Sequence, residues 1–309
     1  MSSSLQLQTH RFKAMGSPCE LKFYASPGTA EALQSRACQR LQQLEDKYTR
    51  YRDTSITSTI NRHAGEGEPQ KLDDETLGLL HYADTLFQQS NGLFDITSGI
   101  LRRAWNFRSG TLPSDDQIAR LLPLVGWHQV IWEPPFFQLP FAGMEIDFGG
   151  FVKEYAADQL AALLRNEGIE HGLVNLGGDI VVIGPHPDGS PWTVGIQHPR
   201  LADTPIARLS VSQGAVTTSG DYERYMLIDG VRYSHLLNPR TGWPVQPAFS
   251  SVTVLAGQCL IAGSFSSLAM LKSESEPRWL ENTGVHYLLV DQNMVAGGNV
   301  ASAERPDSP

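Results

Sequence analysis

Seven short apolar segments follow one another between residues 172 and 256, and no other feature constrains the fold of this chain as strongly. Each segment is bounded by turn residues such as Gly, Pro, Asn or Asp, which is typical of β-strands. In chain order the segments are GLVNL, DIVVIG, WTVGIQ, ARLSVS, GAVTTS, YMLIDG and SVTVLA. Because successive strands without intervening helices pair as hairpins, the run predicts antiparallel sheet.

Helical periodicity marks much of the remaining chain. Apolar residues recur at helical spacing from Thr29, the predicted cap, to about Tyr48, and from Asp73 or Asp74 to a stop at Gly92. Further helices are predicted over about 152–167, 258–272 and 276–283, and further strands over 18–25 and 285–290. Since helices and strands are mixed without strict alternation, the sequence predicts an α+β fold rather than a succession of βαβ units.

The other segments are predicted as connections. Residues 53–70 are polar and are predicted as a loop with a short helix, and residues 106–118 as a polar loop. A hairpin is predicted between 129–133 and 143–148, around the Pro-rich sequence EPPFFQLP.

The composition limits the class of protein. The length of 309 residues suffices for a sizeable core, and one domain is predicted over 12–295, between flexible ends at 1–11 and 296–309. Hydrophobic residues make up 41% of the chain and charged residues 18%, which is ordinary for a globular protein. The net charge of −9 argues against nucleic acid or an anionic membrane as a partner.

The termini and the cysteines indicate a cellular compartment. The chain contains no run of about 18 apolar residues, and its N-terminus carries neither a signal-peptide core nor a lipoprotein-type cysteine. The cysteines are Cys19, Cys38 and Cys259, and an odd number without a C-x-x-C spacing indicates reduced thiols. We therefore expect a cytoplasmic protein without membrane insertion.

Two Gly-Gly pairs are candidate ligand contacts. Gly177 and Gly178 follow a predicted strand, where backbone without side chains can approach a ligand, and Asp179 could hold a ribose or a metal. The second pair precedes the helix that carries Lys153, and the free N–H groups of a helix N-terminus attract anions. Plain turns are the alternative for both pairs, and the second matches neither the Walker A nor the G-x-G-x-x-G spacing.

Two polar stretches could add phosphate contacts and a base. Residues 217–220 place three hydroxyls beside a glycine, where they could donate to phosphate oxygens; a hairpin turn is the alternative. In SHLLNPRTGWP, His235 could take a proton from an attacking hydroxyl, and Arg240 could pair with phosphate or carboxylate. A surface turn is the alternative for this stretch.

The stretch NGLFDITSGILRRAWNF combines polar and aromatic residues. Asp95 and Thr97 lie among apolar residues, with Trp105 and Phe107 nearby, which fits either a pocket for a flat ring or an edge of the core. Taken together, the glycine- and hydroxyl-rich elements and the histidine favour a nucleotide-type ligand over a structural role.

A series of short motifs runs along the chain. In order they are F-x-x-M-G-S-P-C at 12–19, Y-R-x-x-S-x-x-S-x-x-N at 51–61, G-L-F-D-I-T at 92–97, D-F-G-G-F-V-K with Y-A-A-D, N-L-G-G-D, T-S-G-D-Y and H-L-L-N-P-R-T-G. In this order they resemble the motifs of the ApbE family of FAD:protein FMN transferases over about residues 12–290. Each motif is modest alone, but the series in register is specific. The resemblance implies an ApbE-like mixed fold with antiparallel sheet regions and packed helices.

The resemblance also implies an activity and a site. It implies Mg²⁺-dependent transfer of the FMN half of FAD to a Ser or Thr hydroxyl of an acceptor protein, with release of AMP. It gives His235 the role of the base and leaves the Gly150 carbonyl, Ser266 and Ser267 as Mg²⁺ ligands. Around FAD it places Met15, Tyr51, Leu93, Phe94, Asp95, Asp147, Lys153, Gly177, Gly178, Thr218, Ser219, Gly220, Leu237 and Arg240.

The chain departs from the family pattern in three places. Asn238 stands where Asp is usual, and Glu154 follows the lysine where many members have glycine. In the stretch AGSFSSLA, Gly263 replaces the Asp, and Ser267 the Thr, that bind Mg²⁺ in many members. The departures leave three alternatives to FMN transfer: a Mg²⁺-dependent FAD pyrophosphatase, a non-catalytic FAD-binding protein, or a fold relative with another nucleotide ligand.

Overall fold

An eight-stranded sheet forms the centre of the protein in the computed structural model, which describes residues 5–300. The strands are β1 (Gln6–Ala14), β2 (Ser17–Ala25), β3 (Gln70–Lys71), β4 (Ile131–Glu133), β5 (Phe136–Gln138), β6 (Gly172–Leu176), β7 (Asp179–Gly184), β8 (Trp192–Gln197), β9 (Pro205–Val211), β10 (Gly214–Gly220), β11 (Tyr225–Ile228), β12 (Val231–Ser234), β13 (Phe249–Ala256), β14 (His286–Asp291) and β15 (Ala296–Gly298). The central sheet has the order β1-β2-β6-β7-β10-β13-β14-β15, and all of its neighbouring strands are antiparallel. The predicted antiparallel sheet and the α+β class are confirmed.

Helices cover one face of this sheet. They are α1 (Pro27–Tyr48), α2 (Ile56–Arg62), α3 (Asp74–Gln89), α4 (Asp115–Leu121), α5 (Val152–Asn166) and α6 (Cys259–Lys272). α5 packs on β6 and β7, and α6 packs on β10 and β13. Phe23 and Leu160 are fully buried where β2, α1 and α5 meet, and burial of such a side chain is worth about 1.5–3 kcal/mol. The core therefore fixes α5 against β6 and β7.

The hairpin of β8 and β9 covers the opposite face. Trp192 and Leu209 pack there against Val182 and Val216 of the central sheet. The two remaining small sheets are β11-β12 and β3-β5-β4. Because the inner strands are covered on both sides, they are apolar on both faces rather than alternating.

Of the two helix starts that the sequence assigned to capping residues, that of α3 agrees with the structure and that of α1 does not. Asp73 caps α3, and its Oδ1 accepts a hydrogen bond of 3.1 Å from the Thr76 N–H, as predicted. The predicted cap Thr29 instead lies in the first turn of α1, and Ser26 caps this helix by accepting from the Thr29 N–H. Pro27 begins the helix, where its missing N–H costs nothing.

The predicted hairpin of 129–133 with 143–148 is wrong in its second strand. β4 pairs with β5 instead, across a shorter turn. Residues 143–148 alternate like a strand, and Ile146 is buried, but a side chain takes the place of a strand partner. Asn61 accepts from the Ile146 N–H at 2.7 Å and donates to its carbonyl at 3.0 Å. The backbone of Ile146 thus makes its hydrogen bonds with a side chain, without a neighbouring strand, although the sequence alternates like a strand.

The predicted ends and loops need four further corrections. The predicted flexible N-terminus at 1–11 contains most of β1, which pairs with β2 from Gln6 to Ala14; its half-exposed polar sequence hides the strand. The predicted loop at 106–118 ends in α4, which begins at Asp115. The helix predicted at 276–283 is a short 3-10 turn at Trp279–Asn282, and β15 at Ala296–Gly298 begins the predicted tail. Residues 1–4 and 301–309 of the predicted flexible ends lie outside the described residues.

Candidate functional site

Two loops from distant parts of the chain meet at a cavity. The Arg240 guanidinium donates a hydrogen bond to the Asn91 carbonyl, and the cavity beside this contact has a volume of about 380 Å³. Gly92 and Asp95 line it from one loop, and Pro239 and Arg240 from the other. The structure therefore brings the predicted G-L-F-D-I-T and H-L-L-N-P-R-T-G motifs together.

Hydrogen bonds within the loop and one from Trp105 hold the loop that carries Arg240. Asn238 donates from its N–H to the Trp243 carbonyl at 2.8 Å, and its Oδ1 accepts from the Arg240 N–H at 2.9 Å. The Trp105 indole donates to the Gly242 carbonyl at 2.7 Å. Asn238 performs this turn chemistry without the charge of an Asp.

Asp95 braces the facing loop. Its Oδ1 accepts from the Thr97 N–H at 2.8 Å and from the Thr97 hydroxyl at 2.6 Å, and its Oδ2 accepts from the Trp127 N–H at 2.9 Å. Burial raises the pKa of the Asp95 carboxyl. Asp95 lines the cavity, but both of its oxygens accept hydrogen bonds from the protein. Its role is therefore to hold the cavity wall in place.

The aromatic residues near this cavity form an edge of the core. Trp105 is only 3% exposed, and its ring stacks on Phe107 at 5.6 Å and meets the Trp243 ring edge-on at 5.2 Å. Leu237 packs against the same cluster. Of the two interpretations of this stretch, the structure favours the core edge over an open pocket for a flat ring.

His235 directly follows β12 and keeps a free nitrogen. Its side chain is half-buried, and its Nδ1 is buried without a hydrogen-bond partner among the described residues. Burial and the nearby Arg224 charge lower the pKa of His235 to about 4. The imidazole is therefore neutral near pH 7 and can accept a proton.

The start of α5 abuts the first loop. A Cβ at Gly150 would come within 3.1 Å of the Phe94 ring, and Leu93 and Phe94 are both half-buried. The N-cap residue Phe151 provides no side-chain cap, so the helix N-terminus keeps free N–H groups and a positive dipole end. The binding of an anion at this helix start stays a prediction.

Lys153 connects the helix start to the glycine turn of β6 and β7. Its Nζ lies 2.8 Å from Asp179 Oδ2. Gly177 and Gly178 have φ values of 64° and 98°, and a Cβ at Gly177 would lie 2.6 Å from the Ser17 Cβ and 3.6 Å from the Lys153 Nζ. Only glycine fits there.

Met15 and Tyr51 lie in two further turns. Met15 occupies the β1–β2 turn with a φ of 49°, and it packs partly buried against the main core. Tyr51 is 80% exposed, and its hydroxyl accepts a hydrogen bond of 2.7 Å from Arg50. An exposed aromatic of this size is available to a ligand.

Arg50 was missed by the sequence reasoning. Its guanidinium forms an ion pair with Asp147, whose Oδ1 also accepts from the Gly149 N–H at 2.9 Å. Asp147 therefore orients the glycine pair before α5 while its charge is balanced. The signal for Arg50 was its position beside the Y-R motif, but sequence could not show that it faces Asp147.

The serine cluster lies between β10 and α6. The Ser219 hydroxyl lies 2.8 Å from that of Ser266 and 3.1 Å from that of Ser267. Thr218 points to the other side of its strand, where its hydroxyl lies 2.8 Å from that of Thr253. Gly220 follows at the end of β10. The predicted Mg²⁺ residues of α6 are thus together, and Thr218 is apart from them.

Three acidic side chains accompany this cluster. Asp158 caps α6 from α5 by accepting from the Cys259 and Leu260 N–H groups at 2.8 and 2.9 Å. Burial and the nearby Asp179 raise the pKa of the Glu154 carboxyl. Within residues 5–300 there is no group of three or more His, Cys, Asp or Glu that could hold a metal by themselves. A cation site here would need hydroxyl and carbonyl oxygens as well.

No helix within residues 5–300 is both long and apolar enough to cross a bilayer.

Known proteins are similar to this chain in both sequence and structure. A model of the ApbE family matches residues 15–289. An FAD:protein FMN transferase of Vibrio cholerae serotype O1 is 30% identical over 268 residues, covering 84% of this chain and 80% of the relative. One of Klebsiella pneumoniae strain 342 is 33% identical over 261 residues, covering 82% and 79%. Among solved structures, an ApbE protein of Thermotoga maritima has a TM-score of 0.86 at 28% identity, covering 95% of this chain and 97% of its own. The flavin transferase ApbE of Vibrio cholerae has a TM-score of 0.85 at 26% identity, covering 97% of each chain.

Proposed function

Because the chain belongs to the ApbE family, we propose that it is an FAD:protein FMN transferase. In detail, it moves the FMN half of FAD to a Ser or Thr hydroxyl of an acceptor protein, releases AMP and uses Mg²⁺. The observation that carries this proposal is a set of contacts that links the predicted motifs in pairs. Arg240 contacts Asn91, Phe94 lies against Gly150, and Lys153 lies beside Gly177. A ligand as long as FAD needs contacts from several such motifs.

The residues suit the two halves of this ligand. The uncapped start of α5 and the Lys153 ammonium attract the pyrophosphate. The small backbone of the Gly177–Gly178 turn permits close approach. The residues that we propose around FAD are Met15, Tyr51, Leu93, Phe94, Asp95, Asp147, Lys153, Gly177, Gly178, Thr218, Ser219, Gly220, Leu237 and Arg240. Asp95 and Thr218 contribute by position, because their polar atoms have protein partners.

The reaction needs a base, which His235 supplies. The acceptor hydroxyl attacks the flavin-side phosphorus, a new P–O bond forms, and the bond to the bridging oxygen breaks as AMP leaves. The proton of the hydroxyl passes to His235, whose imidazole is neutral near pH 7 because burial and the Arg224 charge lower its pKa. Lys153 and the α5 N-terminus balance charge on the phosphoryl oxygens.

The oxygen atoms of the serine cluster fit a hard cation. Ser267, Ser266 and the Gly150 carbonyl are the proposed ligands, and oxygen ligands are those that Mg²⁺ prefers. The Glu154 Oε2 and the Thr217 hydroxyl are buried without hydrogen-bond partners among the described residues, so the region has acceptors to spare. When bound, Mg²⁺ neutralises charge on the phosphate oxygens.

The test is an incubation of the protein with FAD, Mg²⁺ and peptides that contain Ser or Thr. We expect one FMN to be added to the peptide mass, with AMP released in equal amount. Free FMN with AMP and an unmodified peptide would show hydrolysis instead, and FAD binding without any AMP would show a non-catalytic binder.

A further inference from the structure

The side chain of Glu154 fills the space beside Gly263. A Cβ added at Gly263 would lie 2.6 Å from the Glu154 Cγ and 2.9 Å from its Oε1. The glutamate of α5 therefore reaches the place on α6 from which a side chain at position 263 would extend. The two positions that depart from the family pattern, a carboxylate at 154 and a glycine at 263, are in direct contact.

The Glu154 carboxylate has an unused oxygen. Its Oε2 is buried and has no hydrogen-bond partner among residues 5–300. The ammonium of the adjacent Lys153 is engaged with Asp179 at 2.8 Å. Burial disfavours the charged form of this carboxyl, and a bound cation would offset that cost.

Hydroxyl oxygens of α6 and β10 lie near Gly263, the residue that the Glu154 side chain contacts. Ser267 lies one turn after Gly263 on the same face of α6, where residues four apart are about 5–6 Å apart. Its hydroxyl lies 3.1 Å from that of Ser219. Thr217 is on the same face of β10 as Ser219, and its hydroxyl is also buried without a partner among the described residues. One carboxylate and several hydroxyls form the donor set of a hard divalent cation.

We propose that Glu154 is the carboxylate ligand of the divalent cation in this protein, reaching across from α5 into the place left by Gly263. Ser267 on α6 lies opposite it. The inference rests on the proposed Mg²⁺-dependent function, but it names a residue that none of the proposed ligands included. In this proposal the carboxylate comes from α5 instead of α6, but it occupies the same place in the site.

Cation binding can be measured without turnover by titrating Mn²⁺ into the protein and recording free Mn²⁺ by electron paramagnetic resonance. Glu154→Gln keeps the size of the side chain and removes its charge, and we expect Mn²⁺ affinity to fall about tenfold or more. Asp179→Asn is the matched control, because it changes the neighbouring carboxylate and should weaken binding less. Wild-type Mn²⁺ affinity in Glu154→Gln, or a selective loss in Asp179→Asn, would overturn the proposal.

The exchange of the two positions gives a second test. Gly263→Asp alone should lower the melting temperature, because its Cβ would collide with the Glu154 side chain. The double variant Glu154→Gly with Gly263→Asp removes this collision and returns a carboxylate to α6, so we expect Mn²⁺ affinity to recover. Failure to recover in a double variant that melts like the wild type counts against the proposal.

Two further readouts separate this inference from the proposed function. Glu154→Gln should melt no lower than the wild type without metal, since it keeps the size of a side chain whose charged form burial already disfavours. Binding of FAD is followed by quenching of flavin fluorescence in the same samples. Glu154-dependent Mn²⁺ binding without FMN transfer would sustain the inference and refute the transferase. Transfer by a wild type that binds no Mn²⁺ would refute the inference and leave the transferase.

Discussion

Replacement of Asp95 by Asn tests whether this carboxylate acts through the protein or on the ligand. In the structure Oδ1 accepts two hydrogen bonds from Thr97, and Oδ2 accepts one of 2.9 Å from the Trp127 N–H. Asn retains a single acceptor oxygen, and its amide then faces one of these donors. A hydrogen bond to a charged group is worth about 1.5–3 kcal/mol, and a buried unsatisfied donor costs about 1–3 kcal/mol. We therefore expect Asp95→Asn to lower the free energy of unfolding by about 3 kcal/mol.

This loss can be measured by calorimetry without any flavin. Unfolding entropy of about 2.1 cal/mol/K per residue, over this chain length, converts about 3 kcal/mol into a fall in melting temperature of about 5 °C. Asp116→Asn is a control, because that side chain is exposed in the first turn of α4 and should change the melting temperature little. An unchanged melting temperature with a large loss of FAD affinity would refute the bracing role and assign Asp95 to direct ligand contact.

Three other substitutions or conditions give clear expectations. His235→Gln should slow FMN transfer by about 10²–10⁴ while the dissociation constant for FAD, measured by flavin fluorescence, stays near the wild-type value; equal transfer rates would exclude this residue as the base. Because the pKa of His235 is about 4 in the folded state, below its ordinary 6.5, stability is full above about pH 6.5 and falls by at most about 3 kcal/mol as pH drops to 4. Urea unfolding of His235→Gln across that window should show a correspondingly smaller fall. Arg240→Met removes the bond to Asn91 and a phosphate partner, so FAD should bind roughly tenfold more weakly; unchanged affinity would remove Arg240 from the site.

Strong local patterns explain which parts of the fold the sequence could predict. The helical stripe of α5 and the strands between 172 and 256 were found because each buries a regular apolar face. The sequence did not predict β1, because an edge strand needs only one partner and the half-exposed sequence of β1 has no apolar face. Residues 143–148 were misassigned because Asn61 hydrogen-bonds to Ile146 in place of a strand, an arrangement formed by residues far apart in sequence.

The candidate site shows the same division between local and spatial information. Turn chemistry identified the glycine pairs, the Asn238 turn and His235 one stretch at a time. The partners of these stretches depend on which elements the sheet brings side by side. Arg50 illustrates this, since its charge balances Asp147 only after α1 and the segment before α5 have packed. Charge complementarity between distant segments leaves no periodic signal in a single sequence.

Glu154 and Gly263 show what such spatial information changes. Considered separately, a glycine in place of the carboxylate on α6 argues against a cation site, and a glutamate after Lys153 has no evident purpose. Their contact turns two unrelated departures into one complementary pair, because Glu154 occupies space that any side chain at 263 would need. A mere loss of metal binding gives no reason to bury beside Gly263 a carboxylate oxygen that has no partner within residues 5–300. A retained cation site gives such a reason, and it makes positions 154 and 263 interdependent. A side chain at 263 alone would collide with Glu154, and a glycine at 154 alone would remove the carboxylate.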